Sequence, residues 1–296
     1  MKERRGILEL VFAMLLSGSI GIFVVSSNQP PANVVFFRCI IAFICLVPYC
    51  AARGLIRREY FQVRLLLPII VSGIFLVLNW LLLFKAYPLI DIGLATVIYH
   101  VNPFLVILGG AVVLRQAVSR NDILWSAVAF AGLICLVGTA NGALMLGSDV
   151  FAGVVLTLSA SALYAGTVLL SKASAGVPPA VVVLVQTAVG SLLLAPLADF
   201  SVLPTSTSEW ACLATLGVVH TFFLYCLVFS AYQKLSVKAI AILSFIYPLS
   251  AAAFDYIVYG HKFSMGQWLG AGLVLLGILG VKTGWAPIKL RRAIAQ

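Results

Sequence analysis

The sequence predicts an all-α polytopic membrane protein, with ten transmembrane helices arranged as two inverted five-helix repeats. Three observations predict it. Of 296 residues, 62% are hydrophobic and 9% charged, with a mean hydropathy of +1.13, whereas soluble domains carry about 25% charged residues. The apolar residues fall into ten runs of roughly 18 to 25, each long enough at ~1.5 Å per residue to cross ~30 Å of hydrocarbon. Finally, the second half echoes the first at a shift of about 145 residues. Phe84, Ala86 and Tyr87 fall on Phe229, Ala231 and Tyr232, Pro103 on Pro248, Gly132 on Gly277 and Gly21 on Gly166. Five crossings per copy is an odd number, so the second copy is upside down relative to the first.

The elements follow in order. Ile7–Ser27 comes after Lys2, Arg4 and Arg5 and has the charge pattern of a secretion signal. Its spanning length, its lack of a small-x-small cleavage site and its counterpart in the sixth run favour a retained span. Asn28-Gln29-Pro30-Pro31 closes it, and Val34–Ala52 returns to a segment holding Arg53, Arg57, Arg58 and Arg64. Leu65–Ala86, Ile92–Leu114 and Ile123–Thr139 complete the first unit, residues 1–145. Asn141-Gly142 and Gly147-Ser148-Asp149 form the linker to the second unit, 146–296. There Val150–Ser171 is closed by Gly176-Val177-Pro178-Pro179, mirroring the first span, and Ala180–Ala198 follows. Ser206 and Glu209 have capping-box spacing and announce a helix start before Trp210–Tyr232. Val237–Tyr259 and Met265–Val281 end the series, the latter carrying Gly266, Gly270, Gly272, Gly277 and Gly280. Gly266/Gly270 is a GxxxG pair, which allows close helix approach within one chain or across a dimer seam; a monomer is the expectation. The six cysteines lie within spans without metal-ligand spacing and read as small packing residues.

A net charge of +10 points to nucleic acid in a soluble protein, but here its placement excludes that partner. If the N-terminus is cytoplasmic, sixteen Lys and Arg collect on that side and only Lys85 and Lys262 on the other, with Arg38 left inside the second span. The positive-inside rule then puts both termini in the cytoplasm, as an even span count requires. No soluble domain fits between the runs, so the function sits in the bilayer.

Pro103 and Pro248 stand near the middle of the fourth and ninth spans. Each lacks an amide hydrogen and excludes the carbonyl four residues back, so the carbonyls of Tyr99 and Ser244 are expected to be free, lining a wet cavity. A packing kink is the alternative for either proline alone; the symmetric pair favours a hinge or cavity role. Thr96, Tyr99 and Pro103 share a helix face, as do Ala241, Ser244 and Pro248. Asn79 and Trp80 on the third span, Tyr225 at the position equivalent to Trp80, and Ser17, Ser19, Ser161 and Tyr164 complete a polar and aromatic ring. Each alone reads as an interhelical hydrogen bond; converging at one depth, they form a neutral-walled pocket suited to a zwitterion with an apolar side chain. The candidate substrate contacts are therefore Asn79, Trp80, Thr96, Tyr99, Ser161, Tyr164, Tyr225 and Ser244.

His100 and His220 read as satisfied core histidines, with proton relay the alternative. Glu9, Arg38 and Asp255 lie within about two turns of span ends, where long side chains snorkel. Without a carboxylate at mid-depth, obligate proton coupling is disfavoured. No HExxH, G-x-S-x-G or Walker A motif is present, so neither enzyme chemistry nor a cofactor or metal is expected.

Two five-span units, each with a proline-centred span followed by a glycine-rich one, resemble the EamA units of the drug/metabolite transporter superfamily. The tails carry the resemblance: Asn102-Pro103-Phe104, Leu114-Arg115-Gln116, Trp125 and Gly132, then Tyr247-Pro248-Leu249, Tyr259-Gly260-His261 and Gln267-Trp268-Leu269-Gly270-Ala271. Arg38 also sits where that family often has an arginine. Gln116 and His261 depart from it, standing where many members have glutamate. In general character the chain is similar to the aromatic amino-acid exporter branch typified by YddG. The resemblance implies alternating access in the bacterial inner membrane, with a central cavity exporting amino acids and related metabolites. Multidrug or nucleotide-sugar transport is the rival within the superfamily, and a lipid-directed intramembrane enzyme the rival outside it.

Overall fold

The computed structural model describes residues 2–90, 92–137, 148–260 and 264–285, with only the backbone of 92, 93, 137, 148, 255 and 259. Among the described residues every regular element is a helix. Nine are long and apolar enough to cross a membrane: Lys2–Ser26, Pro31–Ala52, Val63–Ala86, Leu94–Val113, Asp149–Ala173, Pro179–Leu197, Thr207–Lys234, Val237–Val258 and Met265–Thr283. Arg120–Val137 supplies the expected fifth span. The boundary expected at 145/146 lies outside the described residues. Both proline-rich turns lead into a helix with Pro in its first turn, at Pro31 and Pro179, where a missing N–H costs nothing. The capping box of Ser206 and Glu209 is formed, and Ser264 and Gln267 make a second that opens the tenth span.

Helix packing follows the duplication. The third span packs on the sixth and the eighth on the first, which are images of one another under the repeat. The second packs on the seventh and the fifth on the tenth, each pair being its own image. At the last seam the correspondence reaches single residues. A Cβ on Gly277 would come 2.7 Å from that of Ala129, and one on Gly132 would come 2.7 Å from the amide of Val274. A Cβ on Gly280 would strike Trp125, and one on Gly270 would strike Cys135 and Leu136. Each pair is the other shifted by one repeat. The glycines thus serve packing within the chain, but the working pair is Gly270/Gly277; Gly266 makes no comparable approach.

The fourth and ninth spans break at equivalent places. Ile92–Tyr99 gives way to Asn102–Val113, and Val237–Leu243 to Ile246–Tyr259. Pro103 and Pro248 sit in the first turn of the second segment in each case, starting a helix rather than bending one. The expectation of bare carbonyls is corrected here. The Tyr99 carbonyl accepts from Nδ2 of Asn102 at 3.1 Å, and the Ser244 carbonyl from the Tyr247 amide at 3.1 Å. An unpaired carbonyl at membrane depth costs several kcal/mol, so the chain tightens into a turn that satisfies it.

The two halves are tied at the end bearing the basic loops. Lys234 Nζ lies 2.6 Å from Glu9 Oε1, and Lys238 Nζ 2.9 Å from Asp122 Oδ2. Within the second half, Lys172 donates to the carbonyls of Tyr232 and Leu235. At the other end the Asn33 amide takes the carbonyls of Asp199 and Val202, both at 2.9 Å, and its oxygen takes the Asp199 amide at 2.7 Å.

Candidate functional site

Trp80 and Tyr225, equivalent positions of the two repeats, meet at the axis between the halves. The indole Nε1 donates to the Tyr225 hydroxyl at 3.0 Å, and the rings stand edge to face at 5.2 Å. Above the indole lies Arg38, its guanidinium carbon 3.9 Å from the ring centre. That side chain is 1% exposed. It does not snorkel outward as expected but points into the bundle, and the wall it joins is not neutral.

The eighth span makes this placement possible. After Gly217 it widens into a π-helical turn, Val218–Phe223, a geometry that turns backbone carbonyls aside from the helix ladder. Arg38 Nε donates to Thr221 Oγ1 at 3.0 Å, and Nη2 to the His220 carbonyl at 3.2 Å. The His220 ring lies 2.8 Å from the Ser19 hydroxyl and 3.3 Å from the Thr215 carbonyl, as a satisfied core histidine does.

Beside this cluster is a cavity of about 80 Å³. A water needs ~10–15 Å³ on that measure, so the cavity has room for several. Five tyrosines line it, Tyr87, Tyr99, Tyr164, Tyr225 and Tyr247, together with Arg38, Trp80, His100, Asn102 and Ser244. His100 stacks on Tyr247 with centroids 5.4 Å apart and donates from Nδ1 to the Thr96 carbonyl at 2.7 Å.

Of the expected contacts, Trp80, Tyr99, Tyr164, Tyr225 and Ser244 reach this cavity. Asn79 stands behind the wall: its Nδ2 donates to the Tyr99 hydroxyl at 3.1 Å and to the Ala160 carbonyl at 2.7 Å. Thr96 supports His100 through its carbonyl, and Ser161 is fully buried with its hydroxyl unpaired. Neither lines the cavity. Pro103 and Pro248 are buried at the breaks that bring Asn102 and Tyr247 to the wall. Sequence reasoning missed Arg38 and Tyr247 as wall residues. A charge inside an apolar run was the available signal for the first, and the repeat mapping of Tyr247 onto Asn102 for the second.

A family model for EamA-like transporters matches residues 4–138 and again 151–283, one copy per half. The chain belongs to the EamA-like transporter family. This EamA-like chain is 31% identical over 283 residues to the uncharacterized transporter YxxF of Bacillus subtilis (strain 168), a match that covers 94% of this chain and 89% of YxxF. An uncharacterized transporter of Archaeoglobus fulgidus is 25% identical over 277 residues, covering 93% of this chain and 96% of its own. A solved crystal structure superposes with a TM-score of 0.78 at 19% identity, over 94% of this chain and 97% of that one, and so shares the EamA-like fold.

Proposed function

We propose that this transporter exports amino acids with aromatic or apolar side chains, and related metabolites, across a bacterial inner membrane, with both termini in the cytoplasm. The observation that carries this reading is the tyrosine-walled cavity on the axis between the halves. Aromatic walls bury an apolar side chain, while hydroxyls and amides orient its polar end. The units 1–145 and 146–296 rock about the breaks at Pro103 and Pro248, exposing the cavity to each side in turn. Glu9–Lys234 and Asp122–Lys238 bridge the halves at the basic end, and on this reading the loading step parts those pairs.

Among the described residues that line the cavity there is no carboxylate to load and unload a proton, and the reading is passage down the substrate's own gradient. The test is efflux of phenylalanine or methionine from loaded proteoliposomes, with and without a pH gradient. Efflux in both conditions is expected. A strict need for the gradient removes the facilitator mechanism, and no efflux of either compound removes the amino-acid reading.

A further inference from the structure

Among the described residues, Arg38 is a buried cation without an anion. The ion pairs among the described residues are Arg5–Glu9, Arg57–Glu59, Lys234–Glu9 and Lys238–Asp122, and Arg38 joins none. Its contacts are neutral: the Thr221 hydroxyl, the His220 carbonyl and the face of Trp80. These use Nε and Nη2, whereas a guanidinium has five N–H donors in a fork that matches a carboxylate. The remaining donors belong to a side chain that lines the cavity, where the other described lining residues bring no Asp or Glu.

The second copy of the repeat packs without this charge. One repeat on, the equivalent of Arg38 is Val183, buried and apolar in the same helical position. The halves are thus matched in packing and unmatched in charge, and the unmatched charge faces the cavity. A buried cation held by neutral dipoles is stabilised further by an opposite charge entering beside it.

We propose that Arg38 binds the carboxylate of the transported molecule, so that the site selects small organic acids with an aromatic or apolar body, and that the amino group is dispensable. This deepens the transport reading above and rests on it. Trp80, stacked under Arg38, and Tyr225, Tyr99 and Tyr164 flank the body of such a ligand. A 2-oxo acid carries the same carboxylate and body as its amino acid, and it satisfies this wall equally.

The experiment measures binding to the purified full-length protein by calorimetry, using phenylalanine, phenylpyruvate, phenethylamine and 2-phenylethanol. These probes share one body and differ in the polar end. Both carboxylates are expected to bind at least about tenfold more tightly than the amine and the alcohol, the scale of one charge-assisted pair. Arg38→Gln should erase that preference and leave the amine unchanged, with Arg38→Lys intermediate. If Arg38→Gln does not fold, the wild-type ranking and Arg38→Lys decide the matter. An amine or alcohol that binds as well as the acids overturns the proposal, as do acids unaffected by Arg38→Gln. Phenylpyruvate binding through Arg38 while phenylalanine does not bind keeps this proposal and removes the amino-acid reading. No binding by any of the four overturns both.

Discussion

Asn79 holds two elements at once, the Tyr99 hydroxyl on the fourth span and the Ala160 carbonyl on the sixth. Replacing it with alanine leaves the Tyr99 hydroxyl without this partner and the Ala160 carbonyl with its helical bond alone, and an unpaired hydroxyl in a water-poor setting costs about 1–3 kcal/mol. Asn79→Ala is therefore expected to lower the thermal midpoint in detergent and to slow transport, while Tyr99→Phe, which removes one hydroxyl, costs about 1 kcal/mol. A double-mutant cycle on the pair checks this by giving a favourable coupling; additive losses would contradict the bond. Asp199 sits in the loop between the seventh and eighth spans, where the Ser201 hydroxyl and amide hold its carboxyl below the usual range. A depressed carboxylate contributes at all pH above its unfolded value and loses that contribution only as pH falls through the lowered value. Between pH 5 and 8 this loop thus gives transport no pH dependence. Asn79 was legible in the sequence because an amide in an apolar run demands partners. The role of Arg38 was not, because its depth says nothing about which way it faces.

At the scale of elements, breaks and close seams separate motion from packing. Pro103→Ala and Pro248→Ala allow the fourth and ninth spans to run on as continuous helices, since alanine restores the amide and removes the clash. The expected outcome is reduced flux with substrate affinity changed by less than about threefold, as in a moving-part defect that leaves the pocket intact. Paired binding and exchange measurements on the same preparations check it. At the seam between the fifth and tenth spans, Gly277→Leu forces a side chain onto Ala129 and Trp125 and is expected to cost about 1–3 kcal/mol in overpacking. Gly272→Leu, where nothing lies within 4 Å of the added Cβ, leaves the melting temperature unchanged. The proline pair was legible from sequence, since its symmetry marked both breaks. The satisfied carbonyls were not, because their donors are Asn102 and a turn amide brought into place by the break itself.

For the whole molecule, opening of the basic end has to break the two ion pairs that join the halves there. Glu9, 12% exposed at its side chain, bridges Lys234 across the halves and Arg5 within its own helix. Glu9→Gln combined with Asp122→Asn releases both cross-half pairs, and the expected result is a shift toward opening at that end. Maleimide labelling of a cysteine placed at Ser17, which lines the cavity, checks this: faster labelling from the basic end is expected, and an unchanged rate would show that the pairs do not hold that end closed.

Sequence by itself determined the ten spans, their alternation and the inverted pairing of the halves. Those properties depend on run length, punctuation and the distribution of Lys and Arg along the chain, all of which are one-dimensional. Tertiary structure alone decided what faces the centre. Lipid is as apolar as leucine, so no hydrophobic stripe marks the inner side of a span. The orientation of Arg38 was set instead by a π-helical turn and a threonine on the eighth span, 182 and 183 residues away in the chain.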